Sequence, residues 1–585
     1  MAGSGTFSNR YDSEECHPQE TGTNTHPDTT TYTNFSTKNA CTTTNWFSSE
    51  TGIYDSKHKP LHLPKTQFLD AVSFIFSHKH DGVLALIDSQ SGFSLSYSKL
   101  HQMVKSMASG LNDFGISKSD VVLILLPNTI FFPVVFLGVL SIGAIATTMN
   151  PLSSLSEIKK QISTCNVTLV FTLCERMNEI QNLGLRVVMV PVYPDLDSSS
   201  SPKFSFFNEL LSSNPNSAPN PAIDQQDIAA ILYSSGTSGL SKGVVLSHRN
   251  LISVVELFVR FEAFQYENSF PSSKNVYLAS IPMFHVYGLS LFGMGLLSLG
   301  SAIVLMRKFD PNELVRAIDC YKVTHLPVVP PILMALTRVK ALGGCDLGSL
   351  KQVSCGAAPI SNKTIQDFLR TFPHVDFIQG YGMTESSAVG TRGFNTENIR
   401  KYTSVGLLAP NTQAKVVNWD TGLCLPPGRS GELWLRGPGI MKGYLNDADA
   451  TKSTVDKDGW LHTGDIAHFD QDGYLHILDR LKDTIKYKGF QISPADLEAV
   501  LISHPEILDV AVTACLDDEA GEVPVAFVVK RVGSELSQVD VINFVAGQVS
   551  PYKKVRKVVF MHSIPRSPAG KILRRQLRNS LISKI

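Results

Sequence analysis

Two long stretches without a formal charge constrain this chain more than any other feature. Val121 to Pro151 contains no Asp, Glu, Lys or Arg, and Asn275 to Met306 carries only His285. Either is longer than the roughly 20 residues needed to cross a bilayer as a helix. Pro127, Pro133, Gly138 and Gly143 interrupt the first, Pro282, Gly288 and Gly293 the second, and neither contains a Trp to sit at a membrane interface. Parallel strands covered by helices on both faces give the same continuous apolar runs without a membrane. The interruptions favour that arrangement, so no transmembrane segment is expected.

At 585 residues the chain is longer than the roughly 250 to 300 at which a single core stops growing, so several folding units are needed. A composition of 43% hydrophobic and 18% charged residues excludes a largely disordered or coiled-coil protein. Lys plus Arg and Asp plus Glu number 52 each. With no net charge there is no global field to gather nucleic acid or an anionic membrane, and any phosphate binding must be local. Nine scattered cysteines without a CxxC pair point to a reducing compartment and no structural zinc.

Residues 1–60 are a Ser/Thr-rich tract with too little apolar surface to offset ordering entropy, and a disordered extension is expected there. It lacks the apolar core of a secretory signal. A transit peptide is a competing reading, although Arg10 is outnumbered by Asp12, Glu14, Glu15 and Glu20. Over 61–480 short apolar strands alternate with helix-period segments, for example Val121 to Leu126, Ile130 to Ile145 and Leu169 to Leu173. That rhythm means α/β with mainly parallel strands.

The pattern changes over 481–585. Ser493 is set to cap a helix with Pro494 in its first turn and Leu497, Val500 and Leu501 on one apolar face. Leu508, Val510, Val512 and Ala514 then alternate as a half-buried strand, followed by a strand near 525–529, a helix near 541–545 and a strand near 555–560. This is a small α+β domain. Asp479 to Asp483, short and charged, lies between the two patterns and reads as a hinge or as an ordinary polar turn.

The most informative local string is Ile231-Leu-Tyr-Ser-Ser-Gly-Thr-Ser-Gly-Leu-Ser-Lys-Gly-Val-Val245. A strand runs into a turn where backbone N–H groups and the hydroxyls of Ser234, Ser235, Thr237 and Ser238 can converge on phosphate oxygens. Gly236 and Gly239 keep the turn narrow, and Lys242 adds a point charge. It is not a Walker loop, because the spacing from Gly236 ends in Ser241-Lys242-Gly243. On spacing alone a Ser/Gly surface loop competes with a phosphate loop.

The whole string resembles the nucleotide signature of the acyl-adenylate-forming superfamily, which includes acyl-CoA synthetases, luciferases and peptide-synthetase adenylation domains. Further segments resemble its other motifs in order: Pro282-Met-Phe-His-Val-Tyr-Gly288, Ser354-Cys-Gly-Ala-Ala-Pro359, Gly380-Tyr-Gly-Met-Thr-Glu385, Gly431 to Gly437, Trp460 to Asp465, Asp479 to Gln491 and Pro565 to Lys571. Within the superfamily the likeness is to plant 4-coumarate:CoA ligases and their relatives, through Lys486-Tyr-Lys-Gly-Phe-Gln491 and Phe284-His-Val-Tyr287. Leu433-Trp434-Leu435 departs from the cysteine-containing box of the true coumarate ligases.

The resemblance implies a large N-terminal domain of α/β subdomains plus a small β-barrel, with a mobile α+β C-terminal lid domain. It implies ATP and CoA as co-substrates, Mg²⁺ as cofactor and a small-molecule carboxylic acid as the group activated. Lys571, His285 and Thr384 are the implied catalytic residues. The nucleotide would be held by Ser234, Ser235, Gly236, Thr237, Ser238, Gly239, Lys242, Gly356, Ala357, Ala358, Gln379, Gly380, Tyr381, Gly382, Thr384, Asp465, Arg480, Lys486 and Gln491, and Mg²⁺ by Glu385. Lys488 and Gly489 would face CoA after rotation about Lys482. His285 reads as a gate to the thiol path or as a satisfied core histidine.

Val286, Tyr287, Leu291, Gly356, Gly382, Ala388 and Val389 match the acyl pocket and are apolar apart from one phenol, which suits an apolar acid. A hydroxycinnamate, a medium- or long-chain fatty acid and an oxylipin acid all compete. So do other uses of the same motifs. A luciferase-like oxygenase would consume O₂, a carrier-dependent adenylation enzyme would need an acceptor protein that no carrier-sized segment after Lys571 supplies, and a catalytically dead binding protein would have lost a reactive group. Ser583-Lys584-Ile585 is one residue from the Ser-Lys-Leu address, so a peroxisomal import receptor is an expected partner, with the cytosol as the alternative location.

Overall fold

The computed structural model describes residues 46–80, 83–192, 204–234, 242–340, 345–395, 399–487, 490–517, 520–549, 551–567 and 570–582. Each uncharged stretch folds as strand, helical connection, strand. In the first, Val121–Leu125 and Ile145–Thr148 are parallel neighbours joined by the helix Phe131–Ser141. Pro133 falls in the first turn of that helix, where an amide hydrogen has no intrahelical partner to lose. In the second, the strands Val276–Ala279 and Ala302–Leu305 flank Val286–Gly288, a π-helical turn Leu289–Met294 and a 3₁₀ turn Gly295–Ser298. Among the described residues no helix is long and apolar enough to cross a membrane.

Two large sheets hold most of the core. One has seven strands in the order Gly443–Tyr444, Lys242–Ser247, Ile228–Ser234, Ile145–Thr148, Val121–Leu125, Val167–Thr172 and Arg186–Met189, and the last five are parallel. The other has nine strands, with a parallel centre formed by Asp376–Tyr381, Gln352–Cys355, His325–Val328, Val276–Ala279, Ala302–Leu305 and Leu84–Asp88. All five residues of Val121–Leu125 are buried, as covering both faces of a parallel sheet requires.

A third sheet is antiparallel throughout and orders Tyr54–Asp55, Gln413–Val417, Gly431–Arg436, Leu461–Phe469 and Leu475–Arg480. It occupies the place of the small barrel that the resemblance implies, and its strand order is open. Its first strand corrects the expectation of disorder for the end of the polar tract. Tyr54 is completely buried, stacks on Phe469 at 4.4 Å and donates its hydroxyl to the Leu425 carbonyl at 2.7 Å, while Trp46 and Phe47 pack beside it. Three aromatic residues within nine positions supply the apolar surface that the average composition of the tract hides. Residues 1–45 lie outside the described set, as do Ser583-Lys584-Ile585.

The fourth sheet belongs to the C-terminal part. Gly521–Lys530 pairs with Ile507–Asp517, Ile485–Tyr487 and Lys557–Phe560, and Phe490–Ile492 extends it. Ser493 caps the helix Pro494–Ile502 through the Asp496 amide. The strand Ile507–Asp517 is not half-buried as the alternation suggested. Val512 packs with Leu497, Leu501, Val541 and Val545 on one face, while Ala511 packs with Leu577 and Leu581 of the helix Arg574–Ile582 on the other.

The junction is also less exposed than its composition implies. Asp479 and Asp483 are 6% and 9% exposed. Asp479 accepts from the Ser493 hydroxyl at 2.6 Å and the Ala495 amide at 3.2 Å, and Asp483 faces Arg574 and Arg578 at 3.8 and 3.4 Å. Burial alone would disfavour these carboxylates. At Asp479 burial still wins and raises the carboxyl above its ordinary value, with the Ser493 hydroxyl, Arg574 and the Ala495 amide pulling the other way.

Candidate active site

Strands of both large sheets end at one region. Ser234 and Lys242 face each other across the antiparallel pair Ile228–Ser234 and Lys242–Ser247, at one end of both strands. Ser235, Gly236, Thr237, Ser238 and Gly239 lie outside the described residues. The Lys242 ammonium sits 4.8 Å from the centre of the Tyr444 ring, and the Tyr444 hydroxyl donates to Glu385 Oε1 at 3.0 Å. The main chain of Glu385 accepts from the Met441 amide at 2.9 Å. A basic strand end and a buried carboxylate are thereby coupled through one phenol.

Thr384 and Glu385, 6% and 4% exposed, occupy the 3₁₀ turn Thr384–Ser386 just beyond the strand Asp376–Tyr381. The chain then doubles back through Ser387 and Ala388, at φ 53° and 62°, a left-handed conformation that non-glycine residues rarely adopt in succession. The fold-back explains Gly382, where a Cβ would lie 2.4 Å from the Ala388 carbonyl oxygen. Ala357 is also left-handed, at φ 68°, in the turn after Gln352–Cys355. Gly356 donates its amide to the Val328 carbonyl at 3.2 Å, and Ala358 follows half-buried. Gln379 is spoken for structurally, since its amide donates to the Tyr402 carbonyl at 2.7 Å.

Tyr381, Asp465 and Arg480 meet across two sheets. The Tyr381 hydroxyl donates to Asp465 Oδ2 at 2.6 Å, and Arg480 Nε lies 3.1 Å from Asp465 Oδ1. The Asp465 side chain is 6% exposed, so this is no loose surface pair. Burial first, then the Asp465 charge, raise the Tyr381 phenol well above its ordinary value and keep it protonated.

His285 is half-buried at the mouth of the second uncharged stretch. Asn128 pins the preceding chain by donating to the Ala279 and Ile281 carbonyls at 3.0 and 2.9 Å and accepting from the Met283 amide at 2.8 Å. His285 Nδ1 accepts from the Tyr287 amide at 3.4 Å, which leaves the ring proton on Nε2. Burial, then the charge of Lys571, lower its pKa to about 4, so the ring is neutral at physiological pH.

That dependence places the Lys571 ammonium within electrostatic reach of His285. The loop is positioned by Gly570, at φ 77°, where a Cβ would lie 3.2 Å from Val329 and Pro331. A turn in which the Ser567 amide donates to the Lys571 carbonyl at 2.8 Å holds its base. Val286, Tyr287, Leu291, Ala388 and Val389 are all buried. Lys488 and Gly489 are outside the described residues, and only the backbones of Lys482, Lys486 and Gln491 are described.

Sequence reasoning passed over Tyr444, Asn128 and the pair Glu262 and Arg392. Only the Gly-Tyr dipeptide at 443–444 hinted at the first. Nothing local marks the others, because their partners lie more than a hundred residues away.

A strand end carrying Lys242, a buried carboxylate and a histidine approached by a lysine from the C-terminal part outline the site of an adenylating enzyme. The chain belongs to the AMP-binding enzyme family, whose model matches residues 76–445 and whose C-terminal domain model matches residues 496–571, and within it to the 4-coumarate:CoA ligase-like acyl-CoA synthetases. It is 59% identical over 543 residues to 4-coumarate–CoA ligase-like 6 of Arabidopsis thaliana, covering 92% of this chain and 95% of that protein. It is 43% identical over 536 residues to the peroxisomal OPC-8:0-CoA ligase 1 of the same plant, covering 91% and 96%. The crystal structure of ATP-bound MatB from Rhodopseudomonas palustris superposes with a TM-score of 0.77 at 25% identity, covering 88% of this chain and 99% of that one.

Proposed function

We propose that this enzyme activates its acid in two half-reactions at the site just described, with the roles assigned here. A carboxylate oxygen of the acid attacks the α-phosphorus of ATP, the bond to pyrophosphate breaks, and an acyl-AMP forms. The thiol sulfur of CoA then attacks the acyl carbon, AMP leaves with the electron pair of the broken acyl–oxygen bond, and the thiol proton is released. Lys571 bridges the carboxylate and the α-phosphate in the first step, stabilising negative charge where the two anions share it. Thr384 donates to the same phosphate. Ser234, the Ser/Thr/Gly turn and Lys242 hold the distal phosphates.

Tyr381 stacks on adenine beside Gly356, Ala357 and Ala358, and the Asp465 and Arg480 pair receives the ribose hydroxyls. Lys486 and Gln491 complete the nucleotide contacts. Glu385 fits Mg²⁺, since one buried carboxylate beside nucleotide phosphates is the protein share that this ion takes. Bound there, Mg²⁺ supplies charge neutralisation on the phosphates. The C-terminal domain, from about residue 481, turns about Lys482 between the half-reactions and brings Lys488 and Gly489 to CoA, with neutral His285 gating the thiol path.

The observation that carries this reading is the seating of Gly570 on Val329 and Pro331, which brings the Lys571 charge to His285. It corresponds to the arrangement needed for the first half-reaction. The acid is drawn from hydroxycinnamates and medium- or long-chain fatty or oxylipin acids. The names of the Arabidopsis relatives support both classes. Peroxisomal residence, with an import receptor reading Ser583-Lys584-Ile585, belongs to the same proposal and is supported by the relative named peroxisomal. A fluorescent fusion that stays cytosolic with this tripeptide intact would remove it.

The test is pyrophosphate release by the purified enzyme with ATP and Mg²⁺ across a panel of these acids, with and without CoA. Release that depends on one acid class and ends in its CoA thioester is expected. Acid-dependent release without a thioester would move the acyl group to another acceptor. Silence with every acid would refute the reading.

A further inference from the structure

The helix Pro494–Ile502 of the C-terminal part is held at both ends by charged groups from the part of the chain before it. At its start, Asp479 of the strand Leu475–Arg480 accepts from the Ser493 hydroxyl at 2.6 Å and from the Ala495 amide at 3.2 Å. At its end, the Lys363 ammonium donates to the Ile502 carbonyl at 3.2 Å. Ile502 is the last helical residue, and the last four carbonyls of a helix have no intrahelical partner. The signs match the dipole of the helix, with an anion at its N-terminus and a cation at its C-terminus.

Lys363 is misplaced in its own helix. It stands in the first turn of Asn362–Thr371, directly after the cap Ser361 and Asn362, where a cation opposes the dipole and an acid would be favoured. Among the described residues its ammonium pairs with no carboxylate and makes one hydrogen bond, to Ile502. A residue that contradicts its local preference marks a role set by the tertiary structure. The unfavourable end of one dipole is offset here only while the favourable end of another stays in front of it. Burial opposes the charge of Asp479 in the same way, so neither group is placed where its own segment would prefer it.

Both contacts cross the junction. Lys363 and Asp479 precede Lys482 and the helix follows it, so a turn of the C-terminal part about Lys482 moves the helix relative to both. The orientation that satisfies them is also the one that seats Gly570 on Val329 and Pro331 and brings the charge of Lys571 to His285. Resting on the ligase reading above, we infer that Lys363 and Asp479 are positioning residues for the first half-reaction: they clamp the helix Pro494–Ile502 by its two ends in the orientation that presents Lys571, and the clamp opens before CoA attacks. Neither touches a substrate. The strength of the clamp sets how the enzyme divides its time between the two orientations, and through that the relative rates of the two half-reactions.

The experiment measures the two half-reactions of the full-length enzyme separately, with the acid that it turns over best. One is acid-dependent pyrophosphate release in a single turnover with ATP and Mg²⁺, the other thioester formation from supplied acyl-AMP and CoA. Lys363→Met keeps the length of the side chain and removes its charge and its donor. It is expected to raise the ratio of the second rate to the first by about tenfold, the order expected of one partly buried charge at a helix end. The ratio moves by the factor by which the clamp weakens, whichever orientation predominates. Lys363→Arg supplies a cation and a donor again and should return the ratio towards that of the parent enzyme. Asp479→Asn, isosteric and uncharged, should shift it in the same direction as Lys363→Met. A purely structural role would lower both rates together, or neither, and leave the ratio where it was.

A ratio that Lys363→Met does not move, or that Lys363→Arg does not restore, overturns this inference while leaving the ligase intact, and so does an unchanged ratio in a folded Asp479→Asn variant. Failure of the parent enzyme to form a thioester from any acid overturns the ligase reading and this inference with it.

Discussion

At the residue scale the site depends on few groups, and each is held by something the local sequence does not contain. Lys571 has an unremarkable neighbourhood in sequence, with Arg574 and Arg575 close by, and would pass for a solvated tail residue. Its place comes from Gly570 resting on Val329 and Pro331, some 240 positions earlier. Lys571→Ala is therefore expected to lower acyl-AMP formation by about 10²- to 10³-fold. Thioester formation from supplied acyl-AMP should be spared, because in the proposed mechanism the lysine bridges anions only in the first step. Measuring both half-reactions separately decides it, and equal loss in both would falsify the assignment. The motif residues Thr384, Glu385, Tyr381, Asp465 and Arg480 were legible as candidates from their strings. Their burial and pairing were not, because a Thr-Glu or Asp-Arg pair looks the same in a sequence whether it is exposed or enclosed.

At the element scale, agreement between expectation and structure follows the strength of the local signal. Ser493 with Pro494 specified the start of its helix because the cap and the proline act within one turn. The strands of the uncharged stretches were legible because two-sided burial leaves an apolar run. The strand Ile507–Asp517 was misjudged because a helix from more than 60 residues later, Arg574–Ile582, covers its second face. Residues 46–60 were misjudged for the opposite reason, since a polar average concealed Trp46, Phe47 and Tyr54. Tyr54→Ala should cost about 3 to 5 kcal/mol by emptying a ring-sized site, and it also breaks the bond to Leu425. A denaturant titration checks this. A loss below about 1 kcal/mol would mean that the third sheet does not depend on its first strand.

At the scale of the whole molecule, buried histidines set the acid limit. Burial, reinforced at His285 by Lys571, lowers His58, His78, His248 and His285 to about 4, and burial lowers His325 to about 3. Unfolded, each titrates near about 6.5. Between those values the unfolded chain binds more protons, so stability is fully present above about pH 6.5 and is lost as the pH falls towards 4, by up to about 1.4 kcal/mol per pH unit for each histidine. Glu498 opposes them. Burial pushes it up to about 7 against the pull of Arg574 and raises Asp479 as well, so both favour the folded state at lower pH, but they are two groups against five histidines. The thermal midpoint is expected to drop steadily from pH 7 to pH 5, and a flat or rising profile would contradict the burial of these rings.

The amino-acid sequence by itself determined what depends on near neighbours: the alternation of strands and helices, the caps, the order of the motifs and through them the family. Only the tertiary structure decided what depends on distant segments meeting. It brought the charge of Lys571 within electrostatic reach of His285, enclosed Asp465 with Tyr381 and Arg480, buried the acids of the junction against Arg574 and Arg578, and buried the pair Glu262 and Arg392. The physical reason is that burial strengthens or penalises a charge according to what surrounds it in space, and those surroundings come from parts of the chain that no local pattern connects.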